Sequence, residues 1–158
     1  MTFTVDVQNQ ADFPVDLEWL QVAVTTTLAH CEAVAGSALT IVITDDDMVT
    51  RLNRRYRHVD TPTDVLSFPA ESLPVEMAGE SHYLGELVVA YPYAVSQAER
   101  EGHDVQESLA LLVIHGTLHL LDYNHDTAAS RAKMWSLQAE VLAALHISPE
   151  IVPALEKS

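Results

Sequence analysis

The stretch that decides the fold is HGTLHLLDYNH, which runs from His115 to His125 and holds three of the chain's eight histidines. His115 and His119 are four residues apart, so on an α-helix their side chains lie about 40° apart around the axis and roughly 6 Å apart along it. Asp122 and Asn124 tolerate the left-handed conformation that ends a helix and would fold His125 back over the other two. The spacing therefore predicts a helix and a turn that aim three imidazoles at one point.

Three imidazoles at one point indicate a metal site. A single histidine in an apolar helix is more often a satisfied core residue than a ligand. Residues 109–121, however, are apolar nearly all round, so two imidazoles buried there need partners for their ring nitrogens, and a shared metal supplies both. We predict one Zn²⁺ per chain, because three histidines leave a fourth position open, as in catalytic zinc sites. Nickel, copper and iron remain competitors for the same ligands.

The composition indicates one globular domain covering residues 1–158, since 158 residues with 48% hydrophobic content can form an ordinary core. No apolar run approaches the roughly 18 to 20 residues that cross a bilayer, and the first ten residues lack the regions of a signal peptide. We therefore expect a cytoplasmic protein with no membrane partner. Cys31 is the single cysteine, which rules out an internal disulfide, and the apolar pattern around it predicts a buried, inert thiol.

The charge distribution argues both for and against a polyanionic partner. The formal net charge is −15, whereas nucleic-acid affinity comes largely from Lys and Arg. Half of the eight basic residues nevertheless lie within seven positions. Charge alone favours a solvated helix face paired with the acidic helix start at 45–47 over a phosphate-binding patch. The clustered residues are Arg51, Arg54, Arg55 and Arg57.

Hydrophobic periodicity predicts strands interleaved with helices along the whole chain. Strands are expected at 3–7, 39–43 and 65–68, with a further apolar run at 83–90 in which Gly85 indicates a bend or a close backbone approach. Helices are expected at about 17–34, 45–56 and 92–100, and from Asp104 and Thr127 onwards, with a loop over 70–81. The last helix carries an apolar stripe expected to be core: Ala132, Trp135, Leu137, Val141, Leu142 and Leu145. The pattern predicts an α/β (α+β) domain with one mixed sheet of about four strands and about five helices, without fixing the strand order.

The same histidine spacing occurs in metzincin proteases, whose helix carries a glutamate directly after the first histidine as general base. Here that position is Gly116, so no side chain is placed to accept a proton from the metal's water. Asp122 also replaces the glycine of the protease motif. The sequence keeps the metal ligands of a protease without its proton acceptor.

Two long motifs resemble those of the YbeY family of bacterial endoribonucleases. HGTLHLLDYNHD at 115–126 is similar to the family's histidine motif, and LNRRYR at 52–57 followed by DTPTDVLSFP at 60–69 is similar to its second signature. LGE at 84–86 resembles a third segment, so the resemblance spans about 52–126. It implies a single-domain, zincin-like α/β metalloprotein that cleaves single-stranded RNA, acts in maturation of the 16S rRNA 3′ end and supports ribosome quality control.

Carried over by position, the resemblance assigns His115, His119 and His125 as zinc ligands and Arg57 as the arginine that faces the metal across a basic cleft. With Arg57 acting on the phosphate, the neighbouring Arg54 and Arg55 become candidate substrate-binding residues. A structural partnership of Arg57 with a carboxylate such as Asp64 is the alternative, and the residues alone do not decide between the two.

The chain departs from the family pattern at two positions. Asp122 stands where the family usually has glycine, at an expected cost of about 1 kcal/mol in a left-handed conformation. Asn124 stands where it usually has Asp, so an acidic group beside the metal is lost, and Asp126 is one possible substitute. The general base is not identified, with Asp64, Glu86 and Asp126 as the candidates.

Two further functions stay open. A zinc-containing ribosome assembly or RNA-binding factor without turnover agrees with the acidic composition, which suits a basic ribosomal protein of the small subunit as partner. An open three-histidine site opposes it, because structural zinc is usually closed by a fourth protein ligand. A metallohydrolase acting on another ester or amide is the third possibility. The sequence does not indicate an oligomeric state.

Overall fold

One mixed four-stranded sheet organises the molecule. The structure is a computed structural model that describes residues 3–60, 63–70 and 82–151. In chain order the strands are β1 (Thr4–Asn9), β2 (Ala38–Thr44), β3 (Val65–Pro69) and β4 (Tyr83–Ala90). Their spatial order is β1-β2-β4-β3, with β1, β2 and β4 parallel and β3 antiparallel to β4. The short strand β3 therefore lies at one edge of the sheet.

Five α-helices follow or separate the strands: α1 (Leu17–His30), α2 (Asp46–Arg57), α3 (Tyr91–Glu101), α4 (Val105–Leu120) and α5 (Ala128–Ala144), with a 3₁₀ turn at Pro149–Ile151. The predicted mixed sheet with five helices is confirmed. A side-chain oxygen caps four of the five helix starts, which is why their first residues could be predicted. The capping residues are Asp16, Asp45, Asp104 and Thr127. None of the described helices is both long enough and apolar enough to cross a bilayer.

The helices divide between the two faces of the sheet. Alternate residues of β2 and β4, among them Ile41 and Leu87, pack with α1, α4 and α5 in the main core. The intervening residues, among them Val42 and Val88, pack on the opposite face with Val49 of α2. Helix α4 is buried along most of its length, which explains why its sequence is apolar nearly all round.

The end of α1 differs from its prediction. The helix stops at His30 and not near Val34, because the N–H of Ala33 donates to the carbonyl of Leu28 and Glu32 takes a left-handed φ of 53°. This is a Schellman closure with glutamate where glycine is usual, so the sequence carries no stop signal there. Cys31, at the helix end, was predicted to be buried, but it is only partly buried.

The predicted close backbone approach at Gly85 is confirmed. Its φ is 139°, and a Cβ atom there would collide with the carbonyl oxygen of Phe68 on β3. Glycine thus allows the edge strand to pair with β4 at this point. The prediction that Ala132 belongs to the core stripe of α5 is wrong, because this residue is exposed. The loop expected at 70–81 lies, apart from Ala70, outside the described residues.

Candidate metal centre

The three histidines meet at the end of the buried helix, as their spacing predicts. His115 and His119 lie one turn apart on α4, and His125 approaches them from the loop that follows. One ring nitrogen from each of the three lies within 4.8 Å of the others. The ring centroids of His115 and His119 are 4.5 Å apart, and that of His125 lies 5.9 Å from His115 and 5.3 Å from His119.

A tight turn after α4 places His125. Asp122 has a φ of 70°, its N–H donates to the carbonyl of His119, and the N–H of Tyr123 donates to that of Leu118. This is a Schellman closure, so the left-handed conformation predicted for Asp122 is confirmed. The side-chain oxygen of Asn124 then accepts the N–H of Asp126 at 3.1 Å, on either side of His125. An aspartate could make the same turn, so the replacement by asparagine preserves the backbone path.

Hydrogen bonds fix which nitrogen of each helical histidine faces the centre. Nδ1 of His119 lies 3.1 Å from the carbonyl oxygen of Tyr123, and Nδ1 of His115 lies 3.2 Å from Oε1 of Gln138. Carbonyl oxygens only accept, so Nδ1 of His119 carries the hydrogen, and with the Gln138 amide in this orientation Nδ1 of His115 does too. Each Nε2 is then a lone pair. The two Nε2 atoms are 3.0 Å apart. Lone pairs repel at that distance unless a cation lies between them.

A metal ion fits this donor set. Two nitrogen ligands on a tetrahedral zinc, each at 2.0–2.1 Å, are separated by about 3.3 Å, close to the spacing of the two Nε2 atoms. Outer hydrogen bonds from ligand histidines to carbonyl groups are also usual in metal sites. The group formed by His115, His119 and His125 can therefore bind a metal ion.

Burial keeps the two helical imidazoles, His115 and His119, neutral. Burial, followed by the proximity of His119, lowers the pKa of His115 from 6.5 to about 4. Burial also lowers the pKa of His119, and the neighbouring His125 and Arg57 act in the same direction. Neutral imidazole is the form that binds metals, so these two ligands need not lose protons at neutral pH.

A cleft of about 520 Å³ lies over the histidines. Its opposite wall comes from the edge strand β3 and from the end of α2. Alternate residues of β3 face the cleft, whereas Phe68 between them packs towards α2. Besides the three histidines, the lining residues are Arg57, Thr63, Asp64, Val65, Ser67 and Pro69.

Of the clustered arginines, Arg57 lines the cleft. Within the part of the chain that the structure describes, it forms no ion pair, so the alternative partnership with Asp64 is not observed. Arg54 instead pairs with Asp60 at 2.5 Å on the surface, and Arg55 lies over the ring of Tyr56 at 5.4 Å. Neither Arg54 nor Arg55 lines the cleft. The expected pairing of these arginines with the acidic start of α2 is also absent among the described residues.

The structure separates the candidate proton acceptors. Glu86 pairs in register with Phe68, while the next residue, Leu87, faces Gly116 of α4. Because side chains alternate along a strand, Glu86 faces away from the histidines and is excluded. Asp64 lines the cleft with 5% of its surface exposed, and burial raises the pKa of its carboxyl group. Asp126 lies near enough to His119 to favour the protonated imidazole.

Two residues of α5 lie at this site although the sequence did not predict them as site residues. Trp135, predicted as core, packs its ring against His115 and His125 with centroids 5.7 and 5.9 Å away. Gln138 is fully buried and bonded to His115. The available signal was a glutamine four residues after the buried Met134, inside an otherwise apolar stripe.

Comparison with known proteins agrees with this geometry. A family model described as Endoribonuclease YbeY matches residues 6–146. The chain belongs to the YbeY family. Proteins named Endoribonuclease YbeY from Moorella thermoacetica and from Roseiflexus sp. strain RS-1 are 45% and 42% identical to it. These matches cover 85% and 93% of this chain and 92% and 96% of the relatives, so the resemblance seen in the motifs extends over nearly the whole chain.

A solved structure supports the fold. The solution structure of a Thermotoga maritima protein matches with a TM-score of 0.59 at 22% identity, covering 90% of this chain and 91% of that one. At this identity the likeness bears on the arrangement of strands and helices alone. The mixed sheet and its helices are thus shared with an experimental structure.

Proposed function

We propose that this protein is a metal-dependent endoribonuclease that cleaves single-stranded RNA, acting in maturation of the 16S rRNA 3′ end and in ribosome quality control. The observation that carries the proposal is the three-histidine centre facing Arg57 across an open cleft in a chain of the YbeY family. The relatives bear the name endoribonuclease. In this proposal residues 1–158 act as one catalytic domain, and the reaction takes place in the cytoplasm.

The proposed cofactor is one zinc ion held by His115, His119 and His125. Zinc suits three neutral imidazoles with a position left open, and when bound it supplies a Lewis acid that can activate a water or polarise a phosphoryl oxygen. The donor set alone does not exclude other first-row metals. Elemental analysis of protein purified without added metal identifies the ion, and zinc at one equivalent per chain is the expected result.

Arg57 is proposed to bind the scissile phosphate. Its planar guanidinium can hold two phosphate oxygens at once and stabilise the charge that develops on them. The absence of an ion pair within the described residues supports this role, because none of their carboxylates competes with a phosphate for the guanidinium. Arg54 and Arg55 lie outside the cleft and are proposed to contact RNA only beyond the cleaved bond.

A carboxylate at the cleft is proposed to accept the proton released in the reaction, with Asp64 and Asp126 as the two candidates. Burial raises the pKa of Asp64, which strengthens it as a base. The attacking group is either water or the ribose 2′-hydroxyl. Analysis of the product ends distinguishes them, because a 2′,3′-cyclic phosphate excludes direct attack by water as the first step.

The central test compares RNA cleavage by the parent protein with cleavage by a His115→Ala, His119→Ala double variant, both rigorously purified. Cleavage should depend on metal, stop with a chelator and be absent in the double variant. His103→Ala is the matched control, because the half-buried side chain of His103 pairs with Glu101 and does not line the cleft, so it should be dispensable for cleavage. Equal activity in the parent and the double variant would mean a contaminating nuclease and would refute the proposal.

A non-catalytic assembly factor is the second candidate, and the charge is the observation that favours it. The net charge is −15, and among the described residues that line the cleft Arg57 is the one Lys or Arg. Such a protein suits a basic ribosomal protein of the small subunit as partner. The same cleavage experiment decides, because an assembly factor would bind metal normally and leave the RNA intact.

A further inference from the structure

A buried glutamine connects α5 to the metal centre. Gln138 has no exposed surface and its Oε1 lies 3.2 Å from Nδ1 of His115, a residue 23 positions earlier in the chain. Its Nε2 atom is also buried and finds no hydrogen-bond partner within the described residues. The side chain therefore uses its acceptor and leaves its donors unpaired.

An unpaired buried donor is unfavourable, because the amide loses its bonds to water without replacement. The neighbours of Gln138 in the buried part of α5 are apolar, namely Met134, Val141 and Leu142. An apolar residue of similar size would fill this position without an unpaired group of its own, but it would leave Nδ1 of His115 without an acceptor. We therefore infer that a glutamine occupies this position because its oxygen, the one paired atom of the amide, is needed next to His115.

We propose that Gln138 is a positioning residue that holds His115 in the ring orientation and tautomer required for metal binding. Because its oxygen takes the hydrogen of Nδ1, the lone pair of His115 is left on Nε2, the nitrogen that faces His119. His119 is held in the same way by the backbone carbonyl of Tyr123, which any residue could supply. At His115 the acceptor depends on one side chain. This inference rests on the metal site of the proposed function.

The chemistry of the amide gives the proposal a second consequence. A carboxylate in the same place would accept the same hydrogen more strongly and make the imidazole a more basic ligand. A neutral amide orients the ring without adding negative charge. Glutamate at position 138 should therefore keep metal binding or tighten it, whereas an apolar residue should weaken it.

The experiment measures zinc affinity by competition with a chromophoric chelator for the parent, Gln138→Leu and Gln138→Glu. Loss of the acceptor should weaken zinc binding about 10- to 100-fold, and the glutamate variant should bind at least as tightly as the parent. Gln106→Leu is the matched control: Gln106 also has a buried amide atom without a partner among the described residues, but it lies at the other end of α4, about 13 Å along the axis from His115. Its zinc affinity should not change.

Two further readouts separate positioning from a merely structural role. The metal-free Gln138→Leu variant exchanges one set of unpaired buried donors, those of the amide, for another, the Nδ1–H of His115, so its melting temperature should change little, whereas a merely structural role predicts a clearly lower one. In the ¹⁵N spectrum of the zinc-loaded parent, His115 should carry its hydrogen on Nδ1. This measurement needs no variant, so it decides the matter even where Gln138→Leu fails to fold.

The proposal is overturned if Gln138→Leu binds zinc within about twofold of the parent, if Gln138→Glu binds more weakly than the parent, or if His115 binds the metal through Nδ1. None of these readouts depends on RNA cleavage. A failure of the proposed endoribonuclease activity would therefore show in the cleavage assay, while zinc affinity and the tautomer of His115 would still test Gln138.

Discussion

Gly116 is the residue where adding one methyl group should reveal how closely α4 packs on the sheet. A Cβ atom at this position would lie 2.7 Å from Cδ2 and 3.4 Å from Cδ1 of Leu87, and 3.3 Å from Oγ of Ser67. Leu87 is fully buried on β4, so its side chain has little room to move away. Gly116→Ala should therefore force a shift in the contact between α4 and the sheet.

The size of the effect follows from two opposing contributions. Overpacking a close-packed core costs about 1–3 kcal/mol, whereas alanine in place of glycine within a helix contributes about 1 kcal/mol of stability. Together these contributions should lower the free energy of unfolding by about 1 kcal/mol, which corresponds to a melting temperature lower by about 2–4 °C in a chain of this size. Leu87→Val removes the terminal carbons that the new methyl group meets and costs about 1 kcal/mol by itself. In the double variant the methyl group occupies that space, so the two changes should offset each other by about 1–2 kcal/mol.

Urea denaturation in the presence of a chelator measures these stabilities without a contribution from bound metal. The parent, both single variants and the double variant should share one m-value and differ in midpoint. If Gly116→Ala were as stable as the parent, or if the effects of the two changes simply added, the close packing at Gly116 would be refuted. The contact also bears on chemistry, since the metzincin glutamate belongs at position 116 and its Cβ would meet the same atoms.

Four further predictions concern the site. Arg57→Lys should lower RNA cleavage at least about tenfold with unchanged zinc content, because an ammonium cannot hold two phosphate oxygens; unchanged cleavage would remove the proposed role. Asp122→Gly should raise the free energy of unfolding by about 0.5–1 kcal/mol in urea, and Glu32→Gly, at the matching position after α1, should do the same. The free energy of unfolding of the metal-free protein should be highest above pH 6.5 and should fall by roughly 3 kcal/mol as the pH falls to about 4. The reason is that His115 gains a proton near pH 6.5 in the unfolded chain, but only near pH 4 in the folded protein. His115→Gln should flatten this pH dependence. Removing the metal should weaken binding of a non-cleavable single-stranded RNA analogue about tenfold at low salt, as measured by fluorescence anisotropy, and equal binding with and without metal would contradict this.

Features that depend on neighbouring residues were predictable from the sequence. The histidine centre is of this kind: two ligands are one helical turn apart, and the turn at Asp122 that returns His125 needs only local hydrogen bonds. The starts of α4 and α5 were also predictable from the sequence, since the side chains of Asp104 and Thr127 cap these helices. The end of α1 was not, because Glu32 occupies a conformation that the sequence does not signal.

Features that depend on tertiary contacts could not be read in the same way. The alternation of β4 shows that Glu86 and Leu87 face opposite sides, but only the fold shows that α4 packs on the side of Leu87. The facing wall of the cleft comes from β3, whose place at the edge depends on its antiparallel pairing with β4. Gln138 reaches His115 from a different helix, so its spacing in the sequence carries no information about the contact.

The charge of this protein makes the metal and Arg57 interdependent. A polyanion approaching a chain of net charge −15 gains little from long-range attraction, and Arg57 is the one Lys or Arg side chain that the described part of the chain places in the cleft. Arg54, which could have added to it, is paired with Asp60 at the surface. A divalent cation at the histidines would supply most of the positive charge that an RNA phosphate meets in the cleft. The metal should therefore contribute to binding as well as to cleavage, and Arg57 should act on a phosphate that the metal centre has already attracted.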